Sequence, residues 1–71
     1  MTQSPLSIRE KKVIMSLSSG NQNKEIAHEL NISINTVKKH LKNIFRKMEV
    51  DGRNKAVKKF FYSGGLLDSK D

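Results

Sequence analysis

Between Ile34 and Met48 the chain sets apolar positions against cationic ones with the period of a helix. At about 100° per residue, Val37, Leu41, Ile44, Phe45 and Met48 fall on one side, spaced i, i+4, i+7, i+8 and i+11. That is the apolar stripe of a helix packed on a core. Asn35, Lys39, Lys42 and Arg46 point the other way, and Lys38, Lys47 and His40 sit on the shoulders. Three more helices are predicted on the same grounds. Ser7-Ile8-Arg9-Glu10 is a capping box that starts a first helix carrying Val13, Ile14 and Leu17 and ending near Ser19-Gly20. A second runs from about Asn23 to Leu30, with Ile26, Ala27 and Leu30 inward. Only Asn31-Ile32-Ser33 separates it from the third, for which Ser33 is the N-cap and Thr36 the third helical residue. Asp51-Gly52 breaks the chain again. A fourth helix from about Asn54 shows Ala56, Val57, Phe60 and Phe61 and stops at Ser63-Gly64-Gly65. With no strand pattern, repeat or linker, the expected fold class is all-α. It is one four-helix domain over residues 1–71, ordered over about 6–67.

Charge changes what the third helix is for. It holds five Lys and Arg side chains and no acid. Nine basic residues and two acids (Glu49, Asp51) lie between Lys38 and Lys59, a surplus that equals the formal +7 of the whole chain. So lopsided a field favours a polyanionic partner. Composition trims the alternatives. Seventy-one residues with 35% apolar content build a modest core without a sizeable buried pocket. No apolar run of about 18 residues is present to span a membrane. The start, Met1-Thr-Gln-Ser-Pro, lacks the charged and apolar segments of a signal peptide, so a cytoplasmic location is expected. With no cysteine, disulfides and thiolate metal sites are excluded.

Two short helices joined by a tight turn, the second basic on its outer face, make a helix-turn-helix, here at about 23–48. The apolar stripe would lock the third helix against the other three and leave its far side free for a major groove, which admits one helix between rows of phosphates. Lysines on that side gain attraction from the DNA backbone, and their mutual repulsion is relieved on binding. Lys39 and Lys42 project from the middle of the outer face with Lys38 beside them, so these three can reach base edges. Lys24 and Arg46 lie nearer the rails of the groove.

At this point the residues carry a family likeness. Leu6, Arg9-Glu10, Val13, Gly20, Asn23-Lys24-Glu25-Ile26-Ala27, Leu30, Ile32-Ser33, Thr36-Val37-Lys38, His40-Leu41, Asn43-Ile44, Lys47, Val50, Arg53 and Ala56-Val57 are spaced as in the LuxR/GerE-type DNA-binding domain. The stretch from Leu6 to about Leu67 resembles that family. The resemblance implies a four-helix fold, bacterial transcriptional regulation, and dimers on paired half-sites, usually through the last helix. It places base reading on Lys38, Lys39 and Lys42, and backbone contact on Asn23, Lys24, Thr36, His40 and Asn43. Three residues depart from the family pattern: Lys12 for an acid, Gln22 for Ser or Thr at the second N-cap, and Glu49 for a small or polar residue.

Each signal also has a plainer reading. A basic helix face by itself is usually just solvated, and Asn43 could be an ordinary surface residue. His28 and His40 lie on different helices with no Cys or carboxylate at ligand spacing, so neither a metal nor any other cofactor is expected. Glu25 and Glu29 face no nucleophile or second acid, and no Gly-rich phosphate loop or Ser-His-Asp set is present, so the chain does not read as an enzyme. Phe60 and Phe61 point about 100° apart, and one core cannot easily bury both. Phe61 is the candidate dimer contact with Lys58 and Leu66, the lysines at 55, 58 and 59 confining it to a narrow strip. The expected partners are double-stranded DNA and a second copy of the chain, with RNA polymerase or a regulatory protein beside them and no membrane. Two other readings remain at this stage: a sigma-factor-like promoter-recognition piece, and a basic amphipathic module for a protein or an anionic membrane surface. A stand-alone regulator and the output domain of a longer one fit the sequence equally.

Overall fold

The computed structural model describes residues 6–62, and among them the chain forms four helices and no strand. They are α1 (Ile8–Ser18), α2 (Asn23–Leu30), α3 (Ile34–Met48) and α4 (Arg53–Tyr62). The predicted stop at 63–65 and Leu66 lie outside the described residues.

Local chemistry sets the helix starts. Ser7 Oγ accepts the Glu10 N–H at 3.1 Å, while Glu10 Oε1 accepts the Ser7 N–H at 2.9 Å, completing the capping box. At α2 the N-cap is Gln22, whose N–H donates to Glu25 Oε1, the half of a capping box that the third helical residue supplies. Ser33 Oγ accepts the Thr36 N–H at 3.0 Å and starts α3. The stops use left-handed residues. Gly20 has φ +97°, which glycine adopts at little cost, whereas Asn31 (φ 58°) and Glu49 (φ 59°) do the same work with side chains attached. After each of the last two, an N–H reaches back to a carbonyl of the last turn, Ile32 to Ala27 and Val50 to Phe45, both at 3.0 Å. The α3 break therefore falls at Glu49, two residues before the expected Asp51-Gly52, and α4 begins at Arg53, one residue before Asn54.

α3 packs on α1, α2 and α4; α1 also packs on α2 and α4; α2 and α4 do not pack on each other. The core consists of Leu6, Val13, Ile14, Leu17, Ile26, Ala27, Val37, Leu41, Ile44, Met48, Ala56 and Phe60. Phe45, Leu30 and Val57, expected inward, are only partly buried at its rim. Phe45 stands at the edge of the α3 stripe, about 70° of helix rotation from the centre of the four buried residues. A polar brace fixes α1 against α2. Ser16 Oγ donates to Glu29 Oε1 at 2.7 Å and accepts from Asn21 Nδ2 at 2.8 Å. Glu25 and Glu29 are thus both occupied in holding the helices.

Candidate nucleic-acid interface

The outward side of α3 is open. Lys38, Lys39, Lys42 and Arg46 are all exposed, and Val37, Leu41, Ile44 and Met48 on the opposite side are buried. Such a helix cannot roll without tearing its stripe out of the core, so the direction of its cations is fixed by packing. Lys47 pairs with Glu10 and Lys55 with Asp51, and neither pair uses those four cations. A row of like charges without counter-ions raises the free energy of the unbound surface and attracts a polyanion.

Not all the basic residues serve that surface. Lys47 Nζ lies 2.8 Å from Glu10 Oε1, so one of the five α3 cations has a counter-charge supplied by α1. Glu10 is 5% exposed. Burial pushes its carboxyl up, but the bonds from Lys47 and Ser7 outweigh it and hold it below the ordinary carboxylate value. Lys59 Nζ donates to the Met48 carbonyl at 2.6 Å, satisfying an open acceptor at the C-terminal end of α3. These two lysines belong to the frame.

The residues expected at the DNA backbone fall into two groups. Lys24 is exposed in the first turn of α2, and Asn23, half-buried, accepts at Oδ1 from Arg53 Nη2 at 3.4 Å. Asn23, Lys38, Lys42 and Arg53 line one shallow hollow floored by Leu41 and Phe45. Thr36, His40 and Asn43 are half-buried on the other shoulder of α3, and the Thr36 hydroxyl lies 2.8 Å from Ser33 Oγ. Phe61 stands apart on α4, 63% exposed, with exposed Lys58 on the same helix; Tyr62 beyond it is 83% exposed. His28 is exposed on α2. Among the described residues no group of three or more His, Cys, Asp or Glu side chains is placed to hold a metal. No helix among them is long and apolar enough to cross a membrane.

Three features escaped the sequence reading: the Glu10–Lys47 pair, the exposure of Tyr62 and the position of Arg53. The first and last join residues far apart in the chain. Arg53 would have been found only by starting α4 one residue earlier.

Known proteins share this arrangement. The family of bacterial regulatory proteins known as the luxR family, with GerE as its namesake, matches residues 4–60. The solved structure of the transcription factor GerE superposes with a TM-score of 0.79 at 35% identity, covering 92% of this chain and 98% of that one. The CsgBAC operon transcriptional regulatory protein of Escherichia coli is 50% identical over 52 residues, 73% of this chain and 24% of its own length. The HTH-type transcriptional regulator MalT of Vibrio cholerae is 41% identical over 54 residues, 76% of this chain and 6% of that protein. The chain thus spans nearly all of GerE but a quarter or less of these two curated relatives. Their shared part is a DNA-binding domain, not an enzyme family. The four-helix architecture, the exposed cations of α3 and this match agree: the chain belongs to the luxR family of bacterial regulatory proteins and carries that family's helix-turn-helix.

Proposed function

We propose that the chain is a sequence-specific transcription-regulator domain that lays α3 in the major groove of duplex DNA. The observation that carries this is the division of α3 into a buried apolar side and an exposed, acid-free cationic side. Lys38, Lys39 and Lys42 read base edges, where lysine favours guanine N7 and O6. Asn23, Lys24, Thr36, His40, Asn43 and Arg46 hold the sugar-phosphate rails and set the register. Residues 1–71 form one DNA-binding domain, acting in the bacterial cytoplasm on the nucleoid, with RNA polymerase or a regulatory protein as a second partner.

On DNA the domain acts as a homodimer through α4. A module of this size buries only about 600–1,000 Å² on DNA, marginal for specific affinity at physiological salt, and two half-sites one turn apart double the sequence read. Phe61 and Tyr62 offer apolar area that the core does not claim. Lys55 and Lys58 beside them keep the contact narrow, so free dimers are weak.

Selection from a random duplex pool tests the reading. A recovered half-site, repeated with fixed spacing, supports it. Failure to enrich any sequence, together with tighter binding to anionic vesicles than to duplex, overturns it.

A further inference from the structure

The first residues of α2, α3 and α4 meet in one place. Asn23 and Lys24 from α2, Ile34 and Lys38 from α3, and Arg53 and Asn54 from α4 line a single cleft. It adjoins the smaller hollow and shares Asn23, Lys38 and Arg53 with it. Neither lining includes an acid. Helix N-termini carry the positive ends of their dipoles, and cations there are electrostatically disfavoured. Yet the first turns of α3 and α4 hold no acid, and α4 opens on an arginine. Lys38 and Arg53 therefore add positive charge beside the acid-free N-terminal ends of α3 and α4, while the acid of the α2 end, Glu25, is already bound to the Gln22 N–H.

Arg53 is the hinge of this arrangement. α4 packs closely on α1 and α3 but not on α2, so the bond from Arg53 to Asn23 joins two helices whose backbones lie apart. At 3.4 Å the bond is long, and it takes one of the guanidinium's five donors. Arg53 is exposed and shares the lining of the hollow with Asn23 and the two α3 lysines. A neutral ligand would leave the repulsion in place. A phosphodiester oxygen relieves it and suits the bidentate geometry of arginine.

We propose that Arg53, from outside the helix-turn-helix, clamps one DNA phosphate jointly with Asn23, and so fixes the entry angle of α3. This rests on the DNA-binding reading above and adds α4 to the contact surface.

The test uses the duplex selected by the wild-type chain and a scrambled duplex. Each is made with single methylphosphonate linkages scanned along the backbone, and binding is measured over a range of salt. Arg53→Ala should weaken both duplexes alike, roughly tenfold, and make the salt slope shallower by about 0.9, the share of one phosphate. Arg53→Lys should restore the slope but only part of the affinity. One methylphosphonate position should weaken the wild type clearly more than it weakens Arg53→Ala. Arg53→Gln keeps an amide donor for Asn23 without the charge, and it carries the same slope test should the alanine variant lose helical circular dichroism. An unchanged slope, or methylphosphonates that weaken wild type and variant equally at every position, makes Arg53 a brace between helices only and overturns the clamp. If the wild type shows no salt-dependent duplex binding, the DNA reading falls and the clamp with it. If the wild type binds and only the Arg53 effects are missing, the clamp alone falls.

Discussion

Arg46 and Lys47 are neighbours on α3 with the same charge, and they belong to different halves of the molecule. Lys47 turns toward α1 and is bound by the buried carboxylate of Glu10. Arg46 turns outward with Lys39 and Lys42, where no described acid meets it. Phe60 and Phe61 repeat the division on α4. The first is 8% exposed and closes the core, the second is 63% exposed, and their ring centroids are only 6.1 Å apart. Residue type does not separate frame from interface in this chain; one step of helix rotation does. Substitutions at these paired positions should therefore move either stability or DNA binding, and not both.

The phenylalanines give the widest separation. Phe60→Ala should lower unfolding stability by about 3–5 kcal/mol in chemical denaturation, since a buried ring leaves a cavity. Phe61→Asp should leave the helical circular dichroism and the melting curve nearly unchanged. It should abolish cooperative occupancy of a two-half-site duplex and spare a single half-site. If Phe61→Asp unfolds the domain, Phe61 is part of the core and the dimer contact lies elsewhere.

On the open side of α3, Lys39→Ala or Lys42→Ala should cost on the order of 1–3 kcal/mol of specific binding and relax preference at particular base pairs. Stability should be unaffected, because neither side chain packs. Equal losses on specific and scrambled duplexes would remove these residues from base reading.

The side of α3 facing α1 should answer the other way. Glu10→Gln removes the charge that joins the capping box to Lys47 and should cost about 1–2 kcal/mol of stability while leaving the salt slope of DNA binding alone. Its pH dependence has a definite sign. A carboxyl held below its unfolded value, near 4.3, stabilises the fold above that pH. The contribution is lost as pH falls through the lower folded value. Wild-type stability should hold from neutrality to about pH 5 and then drop, and the Gln variant should drop less. Identical acid profiles would show that Glu10 is not the titrating group.

A smaller effect belongs to the turn between α3 and α4. Glu49 carries a side chain at φ 59°, where residues with a Cβ are strained. Glu49→Asn, better suited to that conformation, should raise stability by about 0.5–1 kcal/mol. No gain would mean that Glu49 has a compensating contact.

How far the sequence foresaw all this follows from the range of each interaction. The first capping box, the Ser33 N-cap, the three-residue turn and the stripe of α3 are set within one or two turns of chain, and Ser7, Glu10, Ser33 and the spacing of Val37 to Met48 announce them. The Gln22–Glu25 contact is equally local, but Gln22 is not an expected N-cap residue. The rotation separating Phe60 from Phe61 was legible for the same reason. The Glu10–Lys47 and Arg53–Asn23 contacts span 37 and 30 residues, and no local pattern announces them. Lys47 therefore looked like one more groove cation, and Arg53 like part of a turn. Glu49 was overlooked because Gly52, the stronger breaker in sequence, stands three residues on and is not needed in the left-handed region. Of the interface, the residue types and their common face were legible. Which cations the frame retains was decided only by packing.

The exposed cationic side of α3 and its flanks is proposed to bind duplex DNA, with base reading and phosphate neutralisation divided among its residues. The most direct test is the affinity of the wild-type chain for its selected duplex and a scrambled one, measured from about 50 to 200 mM salt. With about four to six phosphates neutralised per subunit, log K should fall against log salt with a slope of roughly −4 to −5 per subunit. The two lines should run close to parallel, offset by the specific contacts. A nearly flat line for both duplexes would contradict the account.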